Sequence, residues 1–65
     1  MLKVKRYAVY VGSIDELNVS ELEKVFNYLY EAKRYIADNN AVEASDNRFY
    51  NSCEFYEIVC FNVYK

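Results

Sequence analysis

The sequence contains no histidine, which removes the commonest general base and the commonest metal ligand of proteins. A glycine-rich phosphate loop is impossible because the chain has a single glycine, Gly12. The two cysteines, Cys53 and Cys60, lie seven residues apart, and on a strand they would face opposite ways, which does not make a zinc site. A pair of catalytic carboxylates would need a pocket, for which 65 residues leave little room. We therefore expect a protein that is not an enzyme and that uses no cofactor and no metal.

Strong charge and long apolar runs are also missing. The net charge of −2 sets no strong field, which argues against a dedicated nucleic-acid binder and against an acidic DNA mimic. No apolar run approaches a membrane span, and the first residues lack the features of a signal peptide. Cys53 and Cys60 would lie on the order of 23 Å apart on one strand, too far for a disulfide. These features predict a cytoplasmic protein with reduced thiols and no membrane partner.

Aromatic residues, by contrast, are abundant. The chain has four phenylalanines and eight tyrosines, and we expect residues 1–65 to form a single domain. So short a chain buries only about 60% of the surface that its unfolded form exposes, so support from a partner or a second copy is expected. Tyrosine keeps its hydroxyl wet or hydrogen-bonded, and so many tyrosines do not all fit in one small core.

Two segments have the composition of strands. Residues 3–11 are rich in β-branched and aromatic residues and stop at Gly12, and residues 53–64 have the same character. Between them, Asn39 or Asn40 is expected to end a helix in the left-handed conformation. Residues 38–52 are then a long polar connection, which has room for a short strand near Arg48–Tyr50.

The middle of the chain supports two interpretations. In the first, residues 19–26 alternate as a second strand, and a helix begins near Tyr28 or Leu29. In the second, one long helix starts at Asn18, which with Glu21 could form a capping box. Its apolar stripe would consist of Leu22, Val25, Phe26, Leu29, Ala32 and Ile36. The short acidic connection after Gly12 is typical of two antiparallel strands and favours the first interpretation.

A resemblance also favours the first interpretation. The pattern consists of Val25, Phe26, Leu29, Glu31, Ala32, Tyr35 and Ile36. It resembles a pattern in small, mostly uncharacterised proteins of bacterial phages and mobile elements, in which a strand ends in Val-Phe and a short helix follows. The resemblance covers about residues 5–38. It implies a strand–helix junction here and an accessory role of the phage-encoded kind.

The resulting expectation is an α+β fold with the order ββαβ. One helix lies on one face of a small antiparallel three-stranded sheet with the strand order 2-1-3. The alternative is a strand, a long helix and one or two further strands.

A single helix covers only one face of such a sheet, yet both faces of the two strands are apolar or aromatic. We expect the helix-covered core to contain Val9, Val11, Leu29, Ile36, Val59 and Phe61. The open face should then carry Ala8, Tyr10, Tyr56, Ile58 and Tyr64. The alternative is that the 38–52 connection folds over this second face.

An exposed apolar face of this kind is typical of an interaction site. The sequence therefore predicts a small protein-binding module, of the phage accessory type, that inhibits or modulates a host or defence protein by steric binding. Asp15 and Glu16 would add charge complementarity. A second copy of the chain could take the partner's place and give a homodimer. The alternative function is binding of single-stranded nucleic acid through the same face together with Lys3, Lys5 and Arg6.

Overall fold

A computed structural model describes residues 2–65 and contains, within them, five strands and one helix. The elements are β1 (Lys3–Ser13), β2 (Glu21–Phe26), α1 (Leu29–Asp38), β3 (Val42–Ser45), β4 (Arg48–Tyr50) and β5 (Glu54–Tyr64). The strands form one sheet in the order β2-β1-β5-β4-β3, and all neighbours are antiparallel.

The predicted three-stranded sheet is therefore wrong. The predicted neighbours of β1 are found, with β2 on one side and the last strand, β5, on the other. The 38–52 connection, however, adds the hairpin β3–β4 at the edge of β5. All four side chains of β3 are exposed, so this strand has no apolar alternation that would reveal it. The hairpin turns at Asp46-Asn47, where Asn47 has a φ of 58°, in the left-handed region that asparagine tolerates in turns. The connection extends the sheet instead of covering its open face.

The long-helix alternative is also wrong, because Glu21–Phe26 is a strand and the helix begins at Leu29. Tyr28 is the helix N-cap with extended backbone angles, and its side chain makes no capping hydrogen bond. Its carbonyl accepts the N–H groups of Glu31 and Ala32. At the other end Asn40 has a φ of 62°, which confirms the prediction that an asparagine in the left-handed conformation follows the helix.

The core lies between α1 and one face of the sheet. Ile36 and Val9 are completely buried, and Ala32 lies beside them on the helix. The remaining buried members of this cluster are Ala41, Phe49, Tyr56 and Ile58. Burying a side chain such as Ile36 contributes roughly 1.5–3 kcal/mol. The spacing of Ala32 and Ile36, one helical turn apart, is what lays this helix on the sheet.

The face assigned to β5 differs from the expectation. Val9 pairs with Ile58 across the ladder, so these two side chains lie on the same, helix-covered face. Val59 and Phe61 therefore point away from the helix, and their predicted place in the core is wrong. Side chains of a strand alternate between its two faces. An error of one residue in the register therefore assigns every side chain of the strand to the wrong face.

The two longest strands extend beyond the rest of the sheet. Along β1, only Tyr7–Val11 pair with β2, and along β5, only Phe55–Glu57 pair with β4. Lys3–Arg6 and Phe61–Tyr64 thus form a two-stranded extension, here called the ribbon. Reciprocal backbone hydrogen bonds of 2.9 Å between Leu2 and Lys65 complete it. The molecule is correspondingly elongated, with extents of 42 × 22 × 18 Å.

Candidate protein-binding face

The sheet face opposite α1, here called the open face, is lined across three strands by apolar side chains. Ala8 of β1 pairs with Val25 of β2 on one side and with Val59 of β5 on the other. Tyr10 pairs with Leu22 next to this row. Paired residues of antiparallel strands share a face, so these side chains form one surface.

Four large apolar side chains of this surface are in contact with solvent. The exposed fraction is 55% for Leu22, 43% for Val25, 42% for Val59 and 39% for Phe61. The largest apolar patches of small monomers measure a few hundred Å² and usually have a function. A row of this kind across neighbouring strands has the character of an interface.

The floor of the open face is well packed at the end away from the ribbon. Phe55 is only 7% exposed, and its ring lies directly over Gly12. A Cβ atom at position 12 would lie 2.6 Å from a ring carbon of Phe55, and it would also meet the carbonyl oxygen of Val19. Glycine is required here because the ring and the chain both approach the backbone closely.

Charged groups lie on the open face and in the connection after β1. The guanidinium of Arg48 and the carboxylate of Glu57 form an ion pair at 3.3 Å on the β4 side. Asp15 and Glu16 lie in the exposed connection that follows β1, where the N–H of Asp15 donates to the hydroxyl of Ser13 at 3.2 Å. An exposed pair such as Arg48–Glu57 adds little stability to the fold.

The structure brings together only some of the residues predicted for this face. Ala8 and Tyr10 do belong to it, although Ala8 is buried between its neighbours. Tyr56 and Ile58 are 3% and 4% exposed in the helix-covered core, so their predicted place on the open face is wrong. Tyr64 is exposed, but it lies on the ribbon and shares its side with Lys3 instead of with Tyr10.

Sequence reasoning missed Leu22, Val25, Val59 and Phe61. One signal for the last two was present, namely Glu57, which alternation places on the same side of β5 as Val59 and Phe61. An unpaired carboxylate is costly to bury, so the side of β5 that carries Glu57 should have been assigned to solvent.

Tyrosine–carboxylate hydrogen bonds support the helix-covered side. The hydroxyl of Tyr35 on α1 donates to Glu23 of β2, and this bond, with burial, raises the pKa of Tyr35. The hydroxyl of Tyr56 donates to Glu54 at 3.1 Å. Burial, assisted by that bond, raises the pKa of Tyr56 to about 12. Both phenols stay protonated at neutral pH, and the Tyr35–Glu23 bond links α1 to β2, whereas the Tyr56–Glu54 bond lies within β5.

A second surface lies between the ribbon and the start of α1. A groove of about 430 Å³, here called the basic groove, is lined by Val4, Lys5, Arg6, Tyr7, Asn27 and Tyr28. Tyr28 stacks on Tyr30 with ring centroids 5.6 Å apart, and both rings are exposed. Cations beside exposed stacked rings are a general means of holding nucleic-acid strands.

Other chemistry is sparse in the described part of the chain. No group of three potential ligands could hold a metal ion among residues 2–65. Cys53 and Cys60 are free and exposed. None of the described helical residues forms a segment long and apolar enough to cross a bilayer. No protein-family model, no curated protein and no solved structure matches the chain. The resemblance to phage proteins therefore stays a prediction.

Proposed function

We propose that this chain is a small protein-binding module that acts by covering part of its partner's surface with the open face. One observation carries this proposal: Leu22, Val25, Val59 and Phe61 share one face, on either side of Ala8 and Tyr10 of β1, and remain 39–55% exposed. Interface centres are depleted in charge and rich in apolar and aromatic side chains, as this row is.

The size of the exposed row sets the strength that such a contact can have. Its four side chains expose on the order of 350 Å² of apolar surface, which contributes roughly 9 kcal/mol when fully covered. Association itself costs about 4–15 kcal/mol, so the apolar row alone gives a moderate affinity. Polar contacts at the rim must add to it. The partner that fits is a protein with a shallow apolar strip and a basic group opposite Asp15 and Glu16.

The resemblance to phage proteins supports a more specific role. A module without a catalytic centre that covers an apolar strip acts as a steric inhibitor or modulator, and a host or defence protein is the target that we propose. We place this action in the cytoplasm. The free thiols of Cys53 and Cys60 support a reducing compartment.

The open face can be tested by site-specific crosslinking. A photo-reactive amino acid in place of Phe61 should capture the partner in a host extract, whereas the same group in place of Tyr30, on α1, should not. The captured protein is then purified, and its binding is measured by calorimetry. We expect a negative heat-capacity change, as apolar burial requires, and little dependence on salt.

Two variants test whether the open face is the surface that binds the partner. Val59→Lys places a charge in the middle of the apolar row and should weaken binding at least about tenfold, which is 1.4 kcal/mol. Lys33→Glu, on the exposed side of α1, is the control and should change affinity less than about threefold. Loss of binding in the helix variant with full binding by Val59→Lys would contradict the proposal.

A second candidate function is binding of single-stranded nucleic acid, and the basic groove is the observation that favours it. Lys5 and Arg6 line this groove, and Tyr28 with its stacked neighbour Tyr30 offers rings to bases. The predicted combination of the open face with Lys3, Lys5 and Arg6 needs correction. Lys3 and Lys5 pair with Tyr64 and Asn62 on the other side of the ribbon.

A fluorescent single-stranded oligonucleotide titrated at several salt concentrations tests this candidate. Phosphate contacts predict an affinity that falls steeply with salt. Lys5→Glu and Tyr28→Ala should each reduce it, and Val59→Lys should not. Absence of binding at low salt, or binding that is insensitive to salt and to both groove variants, would dismiss this function.

A further inference from the structure

The outer edge of β5 is free along the ribbon. In an antiparallel ladder, pairs that exchange two backbone hydrogen bonds alternate with pairs that exchange none. Because Leu2 and Lys65 exchange hydrogen bonds, Val4 with Val63 and every second pair after it along β1 and β5 do so as well. The residues between them direct their backbone groups outward, as Ile58 does when its N–H donates to the carbonyl of Asn47 at 2.9 Å. Among residues 2–65, no strand lies beside the next outward-directed residues, which are Cys60, Asn62 and Tyr64.

The two edges of the ribbon differ in chemistry. The β1 edge presents Lys3 and Lys5, and the guanidinium of Arg6 donates to the outward carbonyl of Lys5 at 3.0 Å. Lysines on an edge strand are a common device against pairing with another chain. The β5 edge has no such protection: Ile58–Tyr64 contains no charged residue, no glycine and no proline. The β1 edge is therefore protected against pairing with another chain, whereas the β5 edge is free to form such a pair.

We propose that the free edge of β5 pairs antiparallel with the same edge of a second copy, which joins the two sheets into one. The fitting register places Asn62 opposite Asn62 on the two-fold axis, and Cys60 of one copy opposite Tyr64 of the other. Asn47 limits the overlap, because it already occupies the edge at Ile58. The available length therefore accommodates residues 59–65 of each copy.

This arrangement buries no charge. Lys65 is the one charged residue of the paired segment, and it lies exposed at the end of that segment. Lys3 and Lys5 lie on the far edges, and the Lys5 residues of the two copies are separated by three strand spacings, about 14 Å. That distance exceeds the Debye length of about 8 Å at physiological salt, so their repulsion is weak. On the other side, Phe61 of one copy lies beside Val63 of the other. The open faces then form one continuous apolar surface, although the pairing itself does not rest on the proposed function.

Two proline variants from one cross-strand pair give a matched test. Lys5 and Asn62 face each other, and both direct their N–H groups outward, one to each edge. Proline removes that N–H without breaking the β1–β5 ladder. In light scattering from low micromolar to near-millimolar protein, we expect dimers for wild type and for Lys5→Pro. Asn62→Pro should raise the dimer dissociation constant at least about tenfold. Circular dichroism checks that both variants remain folded.

Cysteine crosslinking reads the same contact without disturbing a strand. In a chain carrying C53S and C60S, Asn62→Cys would place two thiols opposite each other with Cα atoms about 5.5 Å apart, within disulfide reach. We expect a mild oxidant to crosslink this variant. Val59→Cys, on the open face, should stay monomeric in denaturing electrophoresis.

Three results would overturn the edge pairing. Wild-type protein could remain a monomer at near-millimolar concentration. The dimer could persist unchanged in Asn62→Pro. Crosslinking through Val59→Cys but not through Asn62→Cys would show that two copies associate face to face instead.

Discussion

The assignment of the two faces of β5 makes a quantitative prediction about two adjacent residues. Ile58 is 4% exposed in the helix-covered core, and Val59 is 42% exposed on the open face. Ile58→Ala removes three carbon atoms, about 2.4 kcal/mol of transfer free energy, and leaves a cavity. The expected loss is therefore about 3–4 kcal/mol. Val59→Ala removes two carbon atoms that are already partly exposed to solvent, so it should lower the free energy of unfolding by only about 1 kcal/mol.

Urea unfolding followed by circular dichroism, at a protein concentration where the chain is monomeric, measures both losses. A 65-residue domain has about 3–10 kcal/mol of stability in total. The loss expected for Ile58→Ala is a large part of that total, so Ile58→Val serves as a milder variant with an expected loss of about 1 kcal/mol. In thermal unfolding each kcal/mol corresponds to about 7 °C for a chain of this length.

The reasoning fails on a specific result. Equal losses for Ile58→Ala and Val59→Ala, or a larger loss for the second, would mean that β5 presents its other side to the helix. The core between α1 and the sheet would then have to be rebuilt around Val59 and Phe61.

Two further predictions concern packing and pH. Gly12→Ala places a Cβ atom 2.6 Å from the Phe55 ring and should lower the free energy of unfolding by about 1–3 kcal/mol; an unchanged melting temperature would contradict the close approach of that ring. Since the pKa of Tyr56 is raised from 10.0 to about 12, the folded state holds this proton more tightly than the unfolded state. The corresponding stability is complete below pH 10 and is lost between about pH 10 and 12, at most about 2.7 kcal/mol. Tyr56→Phe should remove this part of the alkaline loss and leave the smaller part due to Tyr35, as followed by stability measurements across that range; an identical alkaline profile would refute the assignment.

Local signals in the sequence were sufficient for part of the fold. The β-branched and aromatic run that stops at Gly12 predicted β1, and the strand–helix junction after Phe26 was predicted from the acidic connection before it and from the resemblance of its pattern to phage proteins. Asn39 or Asn40 was expected to take the left-handed conformation, and Asn40 does. Each of these features depends on a few neighbouring residues, which is why the sequence reveals it.

The errors involve information that is not local. Ile58 and Cys60 on one side of β5 are about as apolar as Val59 and Phe61 on the other, so these four residues do not select a face, and the carboxylate of Glu57 is the one local signal that does. The register is set by pairing with β1, at the far end of the chain. The strand β3 was missed because its exposed residues pair only with β4 and bury nothing in the core.

The central position of β1 and β5 has a consequence for how the chain folds. Paired residues of these strands are separated by 41 positions for Ser13 and Glu54 and by 61 for Lys3 and Tyr64. Closing loops of this length costs on the order of 3–4 kcal/mol of chain entropy before any contact compensates for it. Such high contact order predicts slow folding. The β1–β2 hairpin joins neighbouring segments, but the core around Val9 is complete only when β5 pairs with β1, so this long-range pairing is the step that limits folding.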